Sequence, residues 1–202
     1  MSRLGRKRIW RREERRKVEY EARNVREILK EMKDISELIV DLSYSAILFN
    51  NEDLVEEVKY LEARMDTLNY GIRMQAMLAA RDAEDAAKLA GILQVAEAAE
   101  TISNAAADIT DITKLKLEHP LIPSLFRESD EIIVRARVGQ KAYGRSAYDL
   151  HIRSRTGCKV IAIRRENSWI FAPKNEPFAE GDIALVKGTE EGIEKLREVF
   201  YE

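Results

Sequence analysis

Apolar residues recur every three or four positions through the first half of the chain, then every second position or in short runs through the last third. Val25, Ile28, Met32, Ile35, Ile39, Leu42, Ala46 and Phe49 draw one seam along a long helix. Asn50-Asn51-Glu52-Asp53 interrupts it with turn and capping chemistry. A second seam runs Leu54, Val58, Leu61, Met65, Leu68, Ile72 and Ala79, with Gln75 in one slot. Asp82 is placed to cap a third helix, whose seam reads Ile92, Val95, Ala99, Ile102, Ala106 and Ile109. Connections are short, so neighbouring helices are predicted to run antiparallel. Leu29, Leu38, Leu48 and Val55 lie off these seams and make a second apolar face. A thin bundle with such a face predicts a homodimer.

The periodicity changes after Glu118-His119-Pro120-Leu121-Ile122-Pro123-Ser124, whose prolines oppose helix continuation and make a hinge. Glu131 to Val138 alternates as a strand. Ser146-Ala147-Tyr148-Asp149 is a capping box opening a short helix that turns Ala147, Leu150 and His151 inward and stops at Gly157. Cys158–Arg164, Ser168–Ala172 and Ile183–Val186 read as strands, and Glu190–Tyr201 as a last helix with Ile193, Leu196 and Phe200 on one face. The predicted fold is α+β: an antiparallel three-helix bundle followed by a small β-α-β-β-β-α domain. Its parts are a basic arm over residues 1–17, the bundle over 18–118, a linker over 119–130 and the C-terminal domain over 131–202.

Charge changes this picture little. The chain has 202 residues, and 34 basic against 36 acidic side chains leave a formal net charge of −2, which names no partner. The arm, rich in arginine, reads either as a solvated extension of the first helix or as a surface for nucleic acid or anionic lipid; Trp10 favours docking. Cys158 is the single cysteine, so neither an intrachain disulfide nor a cysteine zinc site is available. The run from Leu38 to Phe49 is too short to cross a bilayer and contains Asp41, and the basic N-terminus has no apolar core of a secretory signal after it. A cytoplasmic protein is expected, either free or peripheral to the inner face of the membrane.

Three groups of side chains bear on chemistry. Glu97, Glu100, Asp108 and Asp111, with Asn104 between, follow one stripe of the third helix. They read equally as a solvated acidic face or as hard oxygen ligands for a divalent metal ion shared with Glu62 and Asp66. His119 and His151 lie in different domains and assemble no nucleophile, base and orienting group, and no G-x-G-x-x-G occurs. No enzyme is expected. Arg153, Arg155, Lys159, Arg164 and Arg165 crowd one helix end and strand, and either face water or recognise a carboxylate or phosphate.

The stretch built on Gly144, Arg153 to Gly157, Val160-Ile161-Ala162-Ile163-Arg164 and Glu180-Gly181-Asp182 before Ala184-Leu185-Val186 resembles the TrkA-C domain, the C-terminal regulatory half of RCK assemblies. Some domains resembling it bind cyclic di-AMP between two copies, which implies ligand-binding roles for Arg153 and Val160, with Lys159 and Arg164 of the basic cluster expected beside them. His151 and Lys159 stand where such binders carry Asp and Asn. The helical half is similar to the PhoU family on Asp41 to Phe49, Asn51-Glu52-Asp53-Leu54, Glu62-Ala63-Arg64-Met65-Asp66 and Ala99-Glu100-Thr101-Ile102-Ser103-Asn104. That family's Glu/Asp-x-x-x-Asp motif holds metal, which implies Glu62, Asp66, Glu100 and Asn104 as the ligand set, with Asn104 where an aspartate is usual.

The two resemblances together imply a potassium-transport regulatory protein of archaeal type. Its expected role is a ligand-sensing subunit of cation transport, acting as a homodimer on a separate membrane transporter or channel subunit. Its expected ligand is a small anion, a nucleotide or phosphate; no nucleic-acid partner is expected. The alternative is a PhoU-like regulator of phosphate uptake or signalling with a surface metal site.

Overall fold

The structure, a computed structural model, describes residues 24–114 and 131–201. The basic arm, the linker and His119 lie outside them. Three helices come first: α1 (Val25–Leu48), α2 (Glu52–Ala79) and α3 (Ala83–Lys114). Residues 18–23 and 115–118 of the expected bundle also lie outside the described residues; α1 begins at Val25, where the Asn24 side chain accepts from the Glu27 amide at 2.9 Å. Asn51 caps α2 by accepting from the Asp53 and Leu54 amides, and Asp82 caps α3 through the Asp85 amide at 2.8 Å. Each such cap is worth about 1 kcal/mol.

The first two seams are buried from Ile28 to Ala46 on α1 and from Leu54 to Ile72 on α2, while Phe49 and Ala79, read at their ends, are exposed. The third is rotated. Ala96, Ala99, Ser103, Ala106 and Thr110 face the core, while Val95 and Ile102 are 56% and 45% exposed. Small residues at the true seam let α3 approach its neighbours closely, and the larger ones are left outside.

The second half is a four-stranded antiparallel sheet of β1 (Ile132–Arg137), β2 (Lys159–Arg165), β3 (Ser168–Phe171) and β4 (Ile183–Gly188), in spatial order β1-β4-β2-β3. A short helix α4 (Ile152–Thr156) and the final helix α5 (Glu190–Tyr201) complete it. The two halves follow the predicted α+β plan.

Both faces of the sheet are covered. On one, Val138, Leu150, Ile152, Cys158, Val160 and Ile163 pack with Ile193, Leu196, Val199 and Phe200 of α5. Gly192 makes this approach possible, since a Cβ there would stand 2.5 Å from the Thr156 carbonyl oxygen. On the other face Ile133, Ala162 and Leu185 join one core with Leu38, Leu54, Val55 and Val58 of the bundle. A register shift between Val160 and Ala162 makes the two-sided burial work, because it returns Ile163 to the α5 side shared by Val160.

This arrangement corrects the expected open face. Leu38 and Val55 are buried within the chain, beneath its own sheet, and are not available to a second copy.

Candidate functional site

The corner between α4 and β2 is set by short-range chemistry. Asp149 accepts from the Ser146 amide at 2.9 Å and the Ser146 hydroxyl at 2.7 Å, and Ser146 Oγ accepts from the Asp149 amide at 3.1 Å. These bonds, the amide's first and the hydroxyl's second, hold the Asp149 carboxyl below its ordinary pKa. The capping box thus forms, but it closes a turn. His151 takes a left-handed conformation (φ 52°) and only then does α4 begin. His151 is exposed, and Ile152 takes the inward place expected of it.

Gly157, at φ 75°, ends α4, and Thr156 Oγ1 accepts from the Cys158 amide at 3.0 Å. The chain then enters β2 with Arg153, Arg155 and Lys159 exposed and Val160 buried. Lys159 is the direct cross-strand partner of Lys187 on β4. Two ammonium groups opposed in a sheet repel. Lys187 is balanced by Glu131 at 3.6 Å; Lys159 and Arg153 are exposed.

Arg164 does not belong to that corner. It lies five residues further along β2, roughly 16 Å at strand spacing, and it faces the bundle. Its Nη2 donates to Glu57 Oε1 at 2.9 Å, and its Nε lies 2.9 Å from Glu57 Oε2. Arg135 of β1 brings its Nε within 2.8 Å of Glu57 Oε1 and its Nη1 within 3.2 Å of Asp53. The two Nε contacts are ion pairs at close range whose N–H bonds point aside, so neither is a true hydrogen bond. The Arg164 guanidinium also lies 4.4 Å from the centre of the Tyr60 ring. Glu57 is fully buried, so α2 and the sheet are clamped by a carboxylate between two arginines.

A second fork organises the far end of β2. Arg165 meets both Asp182 oxygens at 2.9 Å, reaches Glu176 at 2.8 Å and donates to the Pro177 carbonyl at 2.8 Å. Buried Asp182 also accepts from the Ala179 amide at 2.8 Å. Asp182 above all, then Glu176, hold the Arg165 guanidinium still more firmly protonated than usual.

The residues named as metal ligands do not make a centre. Glu100 accepts from the Asn69 amide and stands 3.9 Å from Arg73 Nη2. Asn104 is an exposed amide, Asp66 is exposed and Glu62 is half-buried. Arg64, inside the same motif, bonds Glu31 of α1 at 2.7 Å. Among the described residues no three His, Cys, Asp or Glu side chains gather as a cation would need. The donor set does not fit a metal cluster.

Sequence reading missed Glu57 and the Asp182 fork. A carboxylate at position 57, inside the Leu54-Val58-Leu61 seam, was the available signal.

Comparison with known proteins agrees with this architecture. The PhoU domain family matches residues 29–113, and the TrkA-C domain family matches residues 127–201. The chain is a PhoU domain followed by a TrkA-C domain. No curated protein matches it. Among solved structures, it is similar to the RCK C domain of the potassium transport protein KtrA in complex with c-di-AMP. The identity is 26% over 46% of this chain and 96% of that one, with a TM-score of 0.33. It is also similar to the GsuK RCK domain, at 19% identity over 53% of this chain and 24% of that one, TM-score 0.33. The S. agalactiae BusR in complex with its busAB-promotor DNA matches at 16% identity over 85% of this chain and 96% of that one, TM-score 0.33. Among the described residues no helix is long and apolar enough to cross a membrane.

Proposed function

We propose that this chain is a ligand-sensing regulatory subunit of cation transport, potassium in particular, acting as a dimer on a separately encoded membrane transporter or channel subunit. Both of its domain families are regulatory. The observation that supports the reading is the opposed pair of Lys159 on β2 and Lys187 on β4 in the TrkA-C domain, with Arg153 exposed on α4 at the entry to β2. A bound anion relieves repulsion between Lys159 and Lys187 and adds charge-assisted hydrogen bonds. A ligand that favours one arrangement of the protein shifts its population, which is what regulation requires. Arg164 is removed from the ligand set on this reading and serves the clamp on Glu57.

The test is calorimetry and thermal shift with cyclic dinucleotides, ATP, ADP and inorganic phosphate on wild type, Arg153→Ala and Lys159→Ala. At least one phosphate-bearing ligand is expected to raise the melting temperature of wild type by mass action, with the rise lost in both variants. Null titrations for all of them would overturn the reading. Metal content of protein purified without chelator separates the alternative, a phosphate regulator working through a metal-loaded bundle.

A further inference from the structure

The exposed side of α3 carries a second apolar stripe beside the buried one. Gly91, Val95, Ala98, Ile102, Ala105 and Ile109 recur at steps of four and three, the seam spacing of paired helices. Five of the six are exposed and Ile109 is half-buried. None carries charge. Gly91 is the telling member. A mid-helix glycine costs roughly 1 kcal/mol against alanine, yet a Cβ there would meet nothing within 4 Å in its own chain.

We propose that this stripe is the contact with a second copy of the chain, the two α3 helices running antiparallel. The register sets Gly91 against the partner's Ile109, Val95 against the partner's Ala105, and Ala98 against the partner's Ile102. Every layer then places a β-branched residue opposite a small one, and the same holds read from either copy. A parallel pair would stack Ile102 on Ile102 and Ala98 on Ala98, alternating crowded layers with voids. Charge favours the same choice. In the antiparallel register Lys88 falls one residue from level with the partner's Asp111 and one helical turn from the partner's Asp108, whereas a parallel pair opposes like with like. Met77 and Leu78, 71% and 69% exposed near the end of α2, extend the apolar surface at the end of the bundle where α3 begins. The proposal deepens the dimer of the functional reading by giving its surface and polarity. It does not depend on the ligand or the transporter.

Sedimentation of the full chain at micromolar concentration, with Ile102→Glu beside wild type, tests the surface. Ile102 is exposed in the single chain, so the variant keeps its helical circular dichroism. Its dimer dissociation constant is expected to rise about 100-fold or more, since a charge is forced into a dry contact. Oxidative cross-linking tests the polarity. The Val95→Cys, Ala105→Cys double variant is expected to form covalent dimers and Val95→Cys alone to form none; native Cys158 is buried and does not interfere. Monomeric wild type, a dimer indifferent to Ile102→Glu, or cross-linking of Val95→Cys alone would each overturn the proposal. A null ligand titration would leave it standing, and a monomer would leave the basic corner to be tested by itself.

Discussion

Arg165 and Asp182 meet in a two-pronged fork, both carboxylate oxygens 2.9 Å from guanidinium nitrogens, joining the last residue of β2 to the residue just before β4. Asp182 is buried and Arg165 is about one third exposed. The loop between β3 and β4 is therefore held by one carboxylate that also accepts from the Ala179 amide.

Asp182→Asn keeps the shape and one acceptor but removes the charge. Arg165 can be partly rehydrated, so the expected loss is about 2 kcal/mol, near that of a hydrogen bond to a charged group. Urea unfolding checks it. An unchanged midpoint would mean the fork contributes nothing beyond its geometry.

Glu57→Gln is expected to cost more, about 3–5 kcal/mol, because it leaves Arg164 without its acid in a mostly buried contact and Arg135 with Asp53 alone. Arg164 is only 12% exposed and Arg135 25% exposed, so neither recovers much hydration. The melting temperature should fall further than for Asp182→Asn. A smaller fall would place the domain contact in its apolar residues and not in the clamp.

Acid should act on the turn before α4. The Asp149 carboxyl is held below its ordinary pKa by Ser146, so its contribution to stability is fully present above the ordinary aspartate pKa and is lost as pH falls through the folded-state value. Ser146→Ala is therefore expected to be less stable than wild type at neutral pH, with the difference shrinking as the pH falls past that point. Parallel stability curves down to strong acid would refute the assignment.

Much of this architecture was readable from residue pattern. The seams of α1 and α2, the Asn51 and Asp82 caps and the strand limits follow from local periodicity and turn chemistry, which act within a few residues. α3 was misread because alanine satisfies any apolar pattern. The reading Ile92, Val95, Ala99, Ile102, Ala106 straddles two real stripes, one buried and one exposed. His151 was misplaced because nothing local announces a left-handed residue there. The role of Glu57 was illegible for a different reason. Its partner Arg164 lies 107 positions away, and no local rule spans that distance.

The clamp also bears on inheritance. PhoU and TrkA-C domains are units that a genome can shuffle, but these two are no longer interchangeable parts. A bundle grafted elsewhere would carry Glu57 into an apolar patch with no counter-ion, and a transplanted sheet would present Arg135 and Arg164 with no acid between them. With Glu57 buried, a change at any one of the three positions leaves its partners' charges unanswered, so either domain is expected to tolerate exchange only when the other brings the matching residues.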